Sequence, residues 1–148
     1  MIPITKEHRI IAIDTMVFIY LLEDNPIFAE ICGKILEEIE FGNVKGITSV
    51  ITLLEIMVKP KKEDKLAVAT DYQIMISNFP NLDIVNVDKE ISNIASTLRA
   101  NYNIKTPDAI QIATCINQGG TAFFTNDLML KKVEEVEIVI LKDILEES

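Results

Sequence analysis

The chain has 148 residues, 49% of them apolar, and a formal net charge of −9, which suits one domain with a well-buried core. The acidic balance excludes a global positive field that gathers nucleic acid, so any polyanion bound here needs a local basic strip or a metal ion. Cys32 and Cys115 lie far apart with no histidine beside them; they read as small buried hydrophobes, not as a disulfide or a thiolate metal site.

Residues 10–13 (IIAI) form a continuous apolar run, the pattern of a strand buried on both faces. Lys6, His8 and Arg9 precede it and raise the question of a signal peptide. Asp14 interrupts the apolar region, however, and no small-residue cleavage site follows. The apolar stretch 10–22 is also shorter than the roughly 20 residues that span a bilayer. A cytoplasmic protein with no membrane association is expected.

Residues 15–22 are predicted to turn into a short helix. Asn25-Pro26 should open the next one, asparagine as N-cap and proline at the first helical position. Its apolar residues Phe28, Ile31, Cys32, Ile35, Leu36 and Ile39 keep helical spacing up to Gly42. KGITS (45–49) reads as a second strand leading into an apolar helix over 50–58, a lysine-rich loop over 59–62 and a helix over about 64–79. LDIVNV (82–87) reads as a strand, and Asp88 caps a helix built on Ile91, Ile94, Ala95, Leu98 and Tyr102. Thr106-Pro107 starts a helix that Gly119-Gly120 ends. TAFFT (121–125) is a strand, 127–132 a helical turn, and VEIVIL (136–141) the last strand.

Strands alternating with helices predict a single α/β domain over 1–148, with a parallel, roughly five-stranded sheet between two helical layers. Ligands of such sheets bind beyond the carboxyl ends of the strands. Asp14 follows the first strand directly, and Asp127 lies two residues after TAFFT.

Four acids stand in apolar surroundings: Asp14, Glu55 inside VITLLEIMV (50–58), Asp108 at the mouth of TPDAIQIATC (106–115), and Asp127 at the end of FFTND (123–127). Taken singly, Asp108 reads as a helix-dipole residue, Asp127 as part of a cap, and Glu55 as a side chain that can reach water. Asp14 is hardest to assign to structure alone, because an ionised carboxylate taken out of water costs several kcal/mol or more without a partner. Four acids meeting at one end of a sheet repel one another unless a cation is present. Mg²⁺ or Mn²⁺ suits carboxylate oxygens, whereas zinc does not suit one histidine and no cysteine cluster. His8, alone ahead of the first strand, gives a Ser-His-Asp or Cys-His triad no base. Neither G-x-x-x-x-G-K-[ST] nor G-x-G-x-x-G occurs.

In IDT (13–15), SVITLLEI (49–56), TPDAIQIAT (106–114) and FFTND (123–127) the chain resembles the PIN domain family, and within it the VapC-type toxin ribonucleases. The ordered set spans about residues 10 to 140. The resemblance implies a three-layer α/β/α fold with a central first strand, and a Mg²⁺- or Mn²⁺-dependent endoribonuclease whose acidic quartet is Asp14, Glu55, Asp108 and Asp127. Thr125 matches a hydroxyl residue the family often places beside the last acid; Met16 departs from the small or polar residue usual at its position. Family membership also implies a small antitoxin partner and self-association as a homodimer.

On this reading Asp14, Asp108 and Asp127 hold the metal and Glu55 orients or deprotonates a water. Thr15, Thr125 and Asn126 fix carboxylate orientation. Lys59, Lys61 and Lys62 are candidate RNA contacts, although a lysine-rich loop is commonly just solvated. Two rivals remain: a PIN-like binding or scaffold module without turnover, and a metal-dependent phosphatase of haloacid-dehalogenase type. The second wants Asp-x-Asp at the first strand, where this chain has Met16 two residues past Asp14.

Overall fold

The computed structural model describes residues 6–147; residues 1–5 and 148 of the expected single domain lie outside them. Five strands form one sheet: β1 (Ile10–Ile13), β2 (Lys45–Ser49), β3 (Leu82–Val85), β4 (Ala122–Thr125) and β5 (Glu137–Ile140). Every pairing is parallel, in the order β3-β2-β1-β4-β5. The first strand is therefore central, as expected.

Side chains alternate across a strand, and β1 divides its own between two cores. Ile11 and Ile13 face one helical layer, made of α1 (Thr15–Leu22), α2 (Ala29–Glu40), α3 (Val50–Lys62), α4 (Leu66–Ser77) and α7 (Leu141–Glu147). Ala12 faces the other, made of α5 (Lys89–Tyr102) and α6 (Thr106–Asn117). Ile11, Ile13, Phe123 and Phe124 are wholly buried, and each such side chain contributes about 1.5–3 kcal/mol. Three layers result. Among the described residues no helix is long and apolar enough to cross a membrane.

Gly46 lets the second strand approach α2, since a Cβ there would lie 2.6 Å from the Ile39 Cδ1 methyl. The Asp88 side chain accepts the Ile91 amide at 2.9 Å and so caps α5.

Five local expectations change. Asn25 does accept two amides, from Ile27 at 2.9 Å and Phe28 at 3.0 Å, but this closes a turn and regular α2 begins only at Ala29. Residues 59–62 are not a loop. They are the last turn of α3, which runs through Pro60. A proline near a helix end forfeits one hydrogen bond, and this one is buried in an apolar wall with Ile19, Leu22, Ile56, Val68 and Tyr72. Two strands are shorter than expected: the third stops at Val85, not at residue 87, and the last stops at Ile140, where the chain turns at once into α7. His8 is not alone: Nδ1 lies 2.7 Å from the Thr121 hydroxyl and Nε2 2.5 Å from Glu137, joining the amino ends of β1, β4 and β5.

Candidate functional site

The strand order reverses between β1 and β4, and a crevice opens beyond the carboxyl ends of strands at such a point. Asp14 follows β1, and its amide extends the ladder to the Phe124 carbonyl at 3.0 Å. It precedes α1 but does not serve as a regular side-chain N-cap of that helix. The carboxylate is 7% exposed, and its Oδ2 accepts the Thr125 hydroxyl at 2.7 Å. The Asp127 amide donates to that same Thr125 oxygen at 3.2 Å. One threonine thus joins the first acid to the loop carrying the last.

Asp108 lies in the first turn of α6, where Pro107 supplies the helical φ and the dipole favours an anion. Asp127 accepts the Met129 amide at 2.9 Å and caps the 3-10 turn Leu128–Lys132. Its structural role as a cap is real, and occupies one of its two oxygens. Glu55, on α3, accepts the Thr15 hydroxyl at 2.7 Å.

Electrostatics tie these acids together. Burial pushes the Asp14 carboxyl from 3.8 up to about 6; the Thr125 hydrogen bond opposes this, the charge of Asp108 adds to it, the Thr15 backbone opposes it, and Glu55 adds to it. Burial also raises Asp108, followed by the charges of Asp127 and Glu55, against the pull of Lys105. All four acids therefore share one field. They do not form a tight cluster: among the described residues the group of three ligating side chains whose donor atoms lie within 4.8 Å of one another is Glu7, His8 and Glu137, at the opposite end of the sheet.

Behind Thr15 lies a polar network that the sequence reading missed. Gln111, 2% exposed, gives Nε2 to the Thr52 hydroxyl at 2.8 Å and the Thr15 hydroxyl at 3.3 Å, while its Oε1 accepts the Ser49 amide at 3.1 Å. Thr48 contacts Thr52 at 2.6 Å and donates to the Ile13 carbonyl at 2.8 Å. A signal was present: Thr52 lies three residues before Glu55 and Gln111 three after Asp108, so each shares a helix face with an acid.

Asn126 makes no bond to the acids. Its amide donates to the Tyr20 hydroxyl at 3.2 Å and accepts the Lys142 amide at 3.1 Å, holding the end of β4 against α1 and α7. Lys59 pairs with Glu23 at 2.9 Å. Both residues line a groove of about 450 Å³ that also contains Glu55, Lys65 and Tyr72.

A parallel sheet with β1 at its centre and acids beyond the carboxyl ends of β1 and its neighbour β4 defines a class of α/β protein with an acidic crevice. The sequence model of the PIN domain matches residues 11–136, and the chain belongs to the PIN domain family. No curated protein matches it by sequence. Its fold is similar to that of solved toxin–antitoxin and VapBC structures. A toxin–antitoxin complex from Klebsiella pneumoniae has a TM-score of 0.65 at 22% identity, over 88% of this chain and 96% of that one. DNA-bound VapBC from Salmonella typhimurium has 0.66 at 18%, over 88% and 97%. VapBC-1 from nontypeable Haemophilus influenzae has 0.68 at 14%, over 90% and 98%.

Proposed function

We propose that this chain is a Mg²⁺- or Mn²⁺-dependent endoribonuclease, the toxin of a toxin–antitoxin pair. The observation that carries the reading is geometric: Asp14, beyond the end of β1, and the loop of Asp127, beyond the end of β4, meet through the Thr125 hydroxyl, and burial together with the facing acids raises the carboxyls of Asp14 and Asp108. Crowding of this kind is relieved by a cation. An all-carboxylate donor set fits a hard divalent ion that keeps several waters, which also suits acids spaced too widely to close on a bare ion.

Asp14 and Asp108 would hold the ion, with Asp127 as a direct or water-mediated ligand. When bound, such an ion lowers the pKa of a coordinated water and offsets charge on phosphoryl oxygens. Glu55 orients or deprotonates the attacking water. Thr125 aims the Asp14 carboxylate and Thr15 that of Glu55, while Asn126 keeps the β4 end in place. Lys59, Lys61 and Lys62, at the end of α3 beyond Glu55, supply positive charge for the RNA backbone in an otherwise acidic protein.

Solved structures of similar fold include a toxin–antitoxin complex, which supports a small antitoxin as partner. A homodimer in the cytoplasm completes the reading. The test is incubation with labelled RNA in Mn²⁺, in Mg²⁺ and in EDTA, beside p-nitrophenyl phosphate and an acyl phosphate. Metal-dependent internal cleavage of RNA alone is expected. Hydrolysis of a small phosphate ester with RNA left intact would overturn the proposal.

A further inference from the structure

A threonine hydroxyl has one proton to give and a carboxamide nitrogen has two. The direction of each bond around Gln111 follows from that count. The Ser49 amide can only donate, so the Gln111 atom it meets at 3.1 Å is the oxygen, and the nitrogen is the end aimed at the threonines. Thr48 gives its proton to the Ile13 carbonyl. In the 2.6 Å contact between Thr48 and Thr52, Thr52 is therefore the donor. Thr15 gives its proton to Glu55. Neither Thr15 nor Thr52 has a proton left for their mutual 3.1 Å contact, and Gln111 fills the place with one N–H to each.

Replacing that amide by a group that cannot donate leaves both threonine oxygens short of a donor. The Thr15 hydroxyl is then free to turn away from Glu55. We propose that Gln111 is a positioning residue for Glu55: its side-chain amide fixes the direction of the hydrogen-bond chain that commits the Thr15 proton to the Glu55 carboxylate. The inference rests on the nuclease reading for its consequence in turnover, but not for the hydrogen-bond chain itself. Gln111 touches neither substrate nor metal and acts entirely through Thr15.

The test is a double-mutant cycle on RNA cleavage in Mn²⁺, with Gln111→Met and Thr15→Val singly and together, and Thr15→Ser as the conservative variant. Each of the first two is expected to lower kcat by about tenfold or more with KM and the Mn²⁺-induced rise in Tm unchanged. The double variant should be no slower than the slower single variant, because both act on one chain, and Thr15→Ser should retain near wild-type kcat. Multiplicative losses, or a folded Gln111→Met with wild-type kcat, would overturn the inference. Gln111→Met also strips the Ser49 amide of its acceptor, so proton NMR of the unmodified chain provides a measurement that needs no variant. Both Gln111 side-chain amide protons should resist solvent exchange, and rapid exchange of both overturns the proposed chain. A wild-type chain that cleaves no RNA overturns the nuclease reading alone, and the exchange measurement still decides the hydrogen-bond chain.

Discussion

Thr125 and Asp14 are 111 residues apart in sequence, and their side chains meet in a 2.7 Å hydrogen bond. The hydroxyl stabilises the ionised carboxylate, yet burial outweighs it and holds the Asp14 carboxyl up to about 6. This contact adds a side-chain link to the backbone bond by which the Asp14 amide already reaches the Phe124 carbonyl of β4.

The imbalance at Asp14 has a sign in stability. Its ordinary value is 3.8 and its folded value about 6, so the stability linked to its proton is fully present below pH 3.8 and is lost as pH rises through 6. Asp14→Asn keeps the shape and the Thr125 bond without the charge. In metal-free buffer at pH 8 the variant should be more stable than wild type by on the order of 3 kcal/mol, and the two should converge near pH 4. Tm measured against pH checks this; parallel curves would show that Asp14 is not strained. The same variant should have no detectable cleavage activity.

Divalent ions should stabilise the wild-type fold, since they bind it selectively. At a Mn²⁺ concentration about one hundred times Kd, Tm should rise by about 5–10 °C over EDTA. The rise should shrink as pH falls through 6, where Asp14 takes up its proton. Scans in EDTA and millimolar Mn²⁺ that superimpose at pH 7.5 would contradict a metal site.

Glu55→Gln separates metal binding from turnover. The variant can still accept the Thr15 hydroxyl, and it leaves Asp14 and Asp108 in place. Cleavage should fall by about 10²- to 10⁴-fold, while the Mn²⁺-induced rise in Tm persists. Loss of that rise would move Glu55 from the water to the ion.

Replacing Lys59, Lys61 and Lys62 by alanine should weaken RNA binding without stopping turnover of bound RNA. Each phosphate contact to a single strand contributes a slope of about −0.7 to log K against log salt. The triple variant should therefore show a slope shallower by about 1–2, read from binding titrations in a salt series. An unchanged slope would place the RNA elsewhere.

What the sequence made legible was local. A four-residue apolar run marks β1, a lone acid at its end marks the crevice, and Asp88 and Thr106-Pro107 mark helix starts through ordinary capping chemistry. The family resemblance supplied the central place of the first strand, and the order of the other strands comes from the structure. What stayed hidden depends on contacts between distant residues. His8 meets Thr121 and Glu137 across more than a hundred residues, and no local pattern records that. Pro60 reads as a helix stop from its own stereochemistry; only the apolar wall that buries it explains why α3 continues. Gln111 looks like one polar residue in an apolar helix until β2 and α3 bring Ser49 and Thr52 against it.

Because the first strand lies at the centre of the sheet, its neighbours on one side are synthesised more than a hundred residues after it. A nascent chain can pair β1 with β2 early, but Asp14 lacks Thr125 and Asp127 until β4 and its following loop have left the ribosome. Translation halted before that point yields a fragment without an assembled acidic crevice. The crevice is thus completed late, by order of connection alone.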